Sequence, residues 1–113
     1  ACRICVVEAD EGRGKRLVAS CVYPITEGMQ VYTNTPNVLE SRKKTLQLIL
    51  STHDKKCLSC VRAENCELKK MAYDLGIDDV DKYEGENISY EIDTTAAHMI
   101  RDNNKCILVI RRT

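Results

Sequence analysis

His53-Asp54-Lys55-Lys56-Cys57-Leu58-Ser59-Cys60, followed by Cys66, sets one imidazole and three thiols at the spacing H-x3-C-x2-C-x5-C within fourteen positions. A C-x2-C turn aims two sulfurs at one point, and a nearby His and a third Cys can close a four-donor tetrahedral shell. Three thiolates and an imidazole suit either an iron–sulfur cluster or a structural zinc ion. The residues alone leave both readings open: a redox centre, or a non-redox zinc-binding interaction module built on His53, Cys57, Cys60 and Cys66.

At 113 residues the chain is one domain or a piece of one. Its 17 basic and 17 acidic residues cancel, which argues against a general pull on nucleic acid or an anionic membrane. No apolar run approaches the ~18 residues of a spanning helix, and no signal peptide is visible. With no Phe or Trp, the core must be aliphatic, and a small aliphatic core calls for a staple. The seven cysteines are odd in number and include two C-x2-C pairs amid Lys- and Asp-rich sequence. Metal ligation is therefore expected ahead of disulfides, in a reducing cytoplasm.

Along the chain, Cys2-Arg3-Ile4-Cys5 opens on a ligand-like pair, which a natural domain seldom does, so a fragment of a longer chain is expected. Arg16 to Cys21 and Met29 to Thr33 read as short strands on either side of the Glu27-Gly28 turn. Thr35 and Pro36 read as the N-cap and first position of a helix. Leu39, Leu46, Ile49 and Leu50 fall on one side of it, while Arg42, Lys43 and Gln47 can face water. A second helix is expected from Glu67 to Leu75, stopped by Gly76. The Cys57–Cys66 segment is then a loop between helices. Residues 77–95 read as an acidic surface connector, and Cys106 to Arg112 as a last strand.

Cys2, Cys5 and Cys21 form a second constellation. A C-x2-C pair with a further Cys suits a [2Fe–2S] site, yet such a site needs four ligands and only three are present. Lys55 and Lys56 could lower thiol pKa values and offset cluster charge, or simply be solvated. A Cys–His nucleophilic pair would leave the other thiols unexplained and lacks an orienting group. No phosphate-binding glycine loop is present.

Cys2-Arg3-Ile4-Cys5-Val6-Val7-Glu8, Ser20-Cys21-Val22-Tyr23-Pro24 and Thr33-Asn34-Thr35-Pro36 resemble the second half of a plant-type [2Fe–2S] domain. The version resembled stands at the N-terminus of [FeFe]-hydrogenases and of the large iron–sulfur subunit of NADH:quinone oxidoreductase, with the hydrogenase branch slightly favoured and the architecture shared by formate dehydrogenases and related NAD-linked subunits. In that family a His/Cys3-bound [4Fe–4S] cluster comes next, and His53, Cys57, Cys60 and Cys66-Glu67-Leu68 match it. Ile100-Arg101-Asp102-Asn103-Asn104-Lys105-Cys106-Ile107-Leu108 is similar to the entry into a bacterial-ferredoxin-like cluster pair.

The resemblance implies an α+β fold: the C-terminal half of a β-grasp [2Fe–2S] domain over residues 1–36, then a small helical [4Fe–4S] domain over 37–76. An acidic connector over 77–102 and a truncated ferredoxin-like segment over 103–113 would follow. It also implies an electron-transfer role, with other redox domains or subunits of an oxidoreductase as partners and no catalytic site of its own, while the balanced charge and the lack of a spanning run speak against nucleic acid binding and membrane insertion. Cys2, Cys5 and Cys21 would give three [2Fe–2S] ligands, the fourth lying before Ala1. Val109 and Arg112 stand where the family carries further cysteines, so Cys106 alone cannot build another cluster. The cut sheet would leave an unpaired edge, open to pairing with a second copy.

Overall fold

A computed structural model describes residues 2–86 and 89–106, and the last strand expected over 106–112 lies almost wholly outside them. The fold is mixed α+β and divides into two compact units, with the division falling between Leu46 and Gln47.

The first unit, residues 2–46, holds a three-stranded antiparallel sheet of β1 (Val6–Asp10), β2 (Lys15–Ala19) and β3 (Gln30–Tyr32), in the order β2-β1-β3. The β1–β2 turn is fixed by Asp10, whose Oδ1 accepts from the Gly12 and Gly14 amides at 2.8 and 3.2 Å. β2 and β3 meet expectation. β1 does not follow from the pattern, because Val6, Val7, Glu8 and Ala9 are all buried and show no alternation. A central strand covered on both faces loses the period-two signature by which strands are read.

Helix α1 (Pro36–Ser51) begins as expected, with Thr35 Oγ1 accepting from the Val38 amide at 3.3 Å. Its first turns are tied to β1 by two contacts. Asn37 Nδ2 donates to Glu8 Oε1 at 2.9 Å, and the Arg42 guanidinium donates twice to the Val6 carbonyl at 3.0 and 2.8 Å. Arg42 is therefore half-buried rather than turned to water. Val38 and Leu46 are the most completely buried side chains, and Leu39 is exposed. The apolar stripe thus runs through Val38, one position before the expected Leu39.

The second unit starts at Gln47. Leu50 is buried as expected, but so is Gln47, whose Nε2 reaches the Asp79 carbonyl at 3.5 Å. Helix α2 (Glu67–Asp74) ends in a Schellman motif: Gly76 N–H donates to Tyr73 O and Ile77 N–H to Ala72 O. Gly76 sits at φ +59°, the left-handed region that glycine enters without a Cβ penalty. Ile77 is buried just beyond it. The acidic stretch carries structure of its own, an exposed antiparallel hairpin of β4 (Asp93–Ala96) and β5 (Met99–Arg101). The Asn104 side-chain amide then pairs with the Tyr90 backbone through two bonds of 2.8 Å. Among the described residues, no helix is long and apolar enough to cross a membrane.

Candidate metal centres

In the first unit the strand register assembles the thiols. Val6 pairs with Ala19, and the Ser20 amide donates to the Cys5 carbonyl at 3.2 Å, so Cys5 and Cys21 leave the paired strand ends side by side. Their sulfurs lie 3.4 Å apart, within hydrogen-bond reach, and form no disulfide. Cys5 is pulled below the ordinary thiol range, chiefly by the Cys21 backbone amide, while the bond to Cys5 raises Cys21. A thiol biased toward thiolate is the ligand-competent form. Arg3, inside the C-x2-C turn, adopts φ +57°, a conformation non-glycine residues seldom hold. Cys2 lies close enough for its charge to act on Cys21.

The second unit carries the other set. His53 follows α1 directly, its amide donating to the Leu50 carbonyl at 3.2 Å. Its Nδ1 is buried and has no hydrogen-bond partner among the described residues. Burial first, then the nearby Lys105 charge, hold its pKa below the ordinary imidazole value. The ring is thus neutral with a buried nitrogen unsatisfied, which is the condition of an imidazole that ligates metal.

Cys57 opens a 3₁₀ turn (Cys57–Ser59), and Cys60 closes it, its amide donating to the Cys57 carbonyl at 3.2 Å. Cys66 is the N-cap of α2, where its sulfur accepts from the Lys69 amide at 3.4 Å. The usual cap is an oxygen side chain, so a sulfur here trades cap strength for a donor of another kind.

Two ion pairs brace this loop. Lys55 is bonded to Asp81, and Lys105 Nζ lies 2.7 Å from Asp54 Oδ2. That second bond lowers the Asp54 pKa and raises that of Lys105. A polar cleft of about 690 Å³ opens beside His53, lined also by Asp54, Lys56, Asp102 and Lys105. Sequence reasoning named Lys55 and Lys56 as charges for this site. It missed Lys105 because no local pattern links residues 51 positions apart.

Cys5 and Cys21 are in contact, whereas His53, Cys57, Cys60 and Cys66 are spread along one loop. Among the described residues, no three His, Cys, Asp or Glu side chains converge as a ready-made metal shell. In such loops ligand convergence and metal binding are one free-energy event. The donor set and the unsatisfied His53 nitrogen fit a His/Cys3-bound metal group.

Comparison with known proteins gives the two halves separate matches. Residues 1–36 match the 2Fe-2S iron-sulfur cluster binding domain, and residues 42–81 the NADH-ubiquinone oxidoreductase-G iron-sulfur binding region. The NADP-reducing hydrogenase subunit HndD of Solidesulfovibrio fructosivorans is 42% identical over 111 residues, covering 98% of this chain and 18% of that protein. The NADH-ubiquinone oxidoreductase 75 kDa subunit of Reclinomonas americana is 34% identical over 77 residues, covering 68% of this chain and 11% of that protein. This chain therefore spans under a fifth of those two relatives. A chain in the crystal structure of NAD+-reducing [NiFe]-hydrogenase in the H2-reduced state superposes with a TM-score of 0.81 at 29% identity, covering 95% of this chain and 44% of that one.

Proposed function

We propose that this chain, which carries a 2Fe-2S cluster binding region over residues 1–36 and a 4Fe-4S binding region of the NADH-ubiquinone oxidoreductase-G type over residues 42–81, is an electron-relay module of a hydrogenase or NAD(P)-linked oxidoreductase. His53, Cys57, Cys60 and Cys66 hold a [4Fe–4S] cluster; Cys2, Cys5 and Cys21 supply three ligands of a [2Fe–2S] cluster. When bound, such clusters supply one-electron transfer at potentials set by ligand charge, hydrogen bonds to sulfur and solvent exposure.

The chain's own residues act on each of those levers. His53 contributes a neutral nitrogen where a fourth thiolate would add a negative charge, which raises the potential by the logic of Rieske centres. The Lys69 amide donates to the Cys66 sulfur and spreads its charge. In the first unit, the Cys21 amide does the same for Cys5. Residues 77–102 act as a connector, and residues 103–113 lead toward a further redox segment. Other redox domains or subunits of a cytoplasmic oxidoreductase are the partners, and catalysis lies elsewhere in that assembly.

The observation that carries this reading is the buried, unpartnered Nδ1 of His53 within the matched iron–sulfur region. Replacement of the ligands tests it. Cys60→Ala should prevent cluster assembly, and His53→Cys should keep iron content while lowering the potential. If His53→Ala leaves both iron content and potential unchanged, His53 is not a ligand.

A further inference from the structure

The sequence suggests that any positive charge at the second site comes from Lys55 and Lys56, which stand among the ligands. The structure distributes these cations differently. Lys55 is paired with Asp81, and Lys56, although it lines the cleft beside His53, is an exposed side chain in reach of solvent. Lys105 arrives from 51 residues away and is half-buried against Asp54, the residue next to His53.

Its position is fixed by more than one bond. Asp102 caps the 3₁₀ turn Asn103–Lys105, its Oδ1 accepting from the Asn104 amide at 3.0 Å. The Asn104 side chain is held in turn by Asp102 and by the Tyr90 backbone. Lys105 therefore leaves a braced turn, and Asp54 clamps its far end. The cleft that borders His53 is lined by this same pair. Lys105 lines the same cleft as His53, its charge bears on the His53 ring ahead of that of Asp54, and Cys60 is among the groups that bear on Lys105.

We propose that Lys105, positioned by Asp54, is the fixed cation that sets the reduction potential of the iron–sulfur site at His53 and Cys60. The inference rests on the electron-relay reading given above. Reduction adds one electron to the site, and a nearby fixed positive charge stabilises the more negative state. The attraction is only partly screened because Lys105 is half-buried, its side chain 25% exposed. Asp54 opposes this effect in part, and its charge bears on the His53 ring less than that of Lys105 does.

The test is a redox titration of the full chain, purified without oxygen and followed by EPR, with iron content measured on every sample. Lys105→Met should make reduction at least tenfold less favourable, a shift of about 59 mV to lower potential for one electron. Lys105→Arg keeps the charge and should keep the wild-type potential, a pattern that a purely structural role would not produce. If Lys105→Met binds less iron because Asp54 is left bare, the double variant Asp54→Asn with Lys105→Met carries the test. It should lie below wild type by a smaller amount. A wild-type or raised potential in the iron-loaded neutral variants would overturn the inference while leaving the relay reading intact. Wild-type protein that holds no iron would overturn both.

Discussion

Gly85 faces the last turn of α1 so closely that the absence of a side chain is a structural requirement. A Cβ at this position would stand 2.6 Å from the Ser51 carbonyl oxygen and 2.8 Å from both its carbon and its Oγ. Ordinary contacts between heavy atoms need ~3.5–4.0 Å, so the shortfall is about 1 Å. Two of the three clashing atoms are backbone. The third, Ser51 Oγ, donates to the Leu48 carbonyl at 2.7 Å, so swinging it away gives up a bond inside a buried residue. No flexible tip absorbs the overlap, and the backbone must move. Overpacking of this kind costs roughly 1–3 kcal/mol. At about 2 kcal/mol, Gly85→Ala should lower the melting midpoint by roughly 8–16 °C, taking ~4–8 °C per kcal/mol for a domain of 60–100 residues. Thermal melts by far-UV circular dichroism, with the exposed neighbour Glu86→Ala as control, measure the difference. The control should stay within about 0.5 kcal/mol of wild type. Coincident melts for the two variants would refute the close-approach reasoning.

Two further perturbations test the first unit. Leu46 is 1% exposed, and Leu46→Ala should cost about 2–5 kcal/mol, seen as a lower urea midpoint; an unmoved midpoint contradicts its place in the core. Glu8 is held below the ordinary carboxyl value of 4.5 by hydrogen bonds from Asn37 and then Thr35. A depressed folded-state pKa gives stability that is present above the unfolded value and is lost as pH falls through the folded one. Glu8→Gln should therefore flatten the acid limb of the stability curve below about pH 4.5, and an unchanged limb would show that Glu8 does not report on folding.

What could be read from the sequence was local. Thr35-Pro36 and Gly76 carry their helix boundaries within a turn of themselves, and both boundaries stand where expected. The two candidate ligand groups are legible as spacing because a C-x2-C turn needs no distant partner. What escaped depends on contacts far apart in the chain. Glu8 and Gln47 look like surface residues until Asn37 and the Asp79 carbonyl reach them. β1 hides because both its faces are covered, and the β4–β5 hairpin hides because all of it but half-buried Asp93 is exposed and it shows no apolar alternation. The Lys105–Asp54 pair joins segments 51 residues apart, so the charge beside His53 became visible only in three dimensions.

The central claim is most directly tested by measuring iron, acid-labile sulfide and zinc in anaerobically purified protein, together with a visible spectrum and EPR after reduction. About four irons and four sulfides per chain with a reducible EPR signal are expected from a His53/Cys57/Cys60/Cys66-bound cluster. About one zinc per chain, with no colour and no signal, would contradict the electron relay and leave a zinc-stapled binding module in its place.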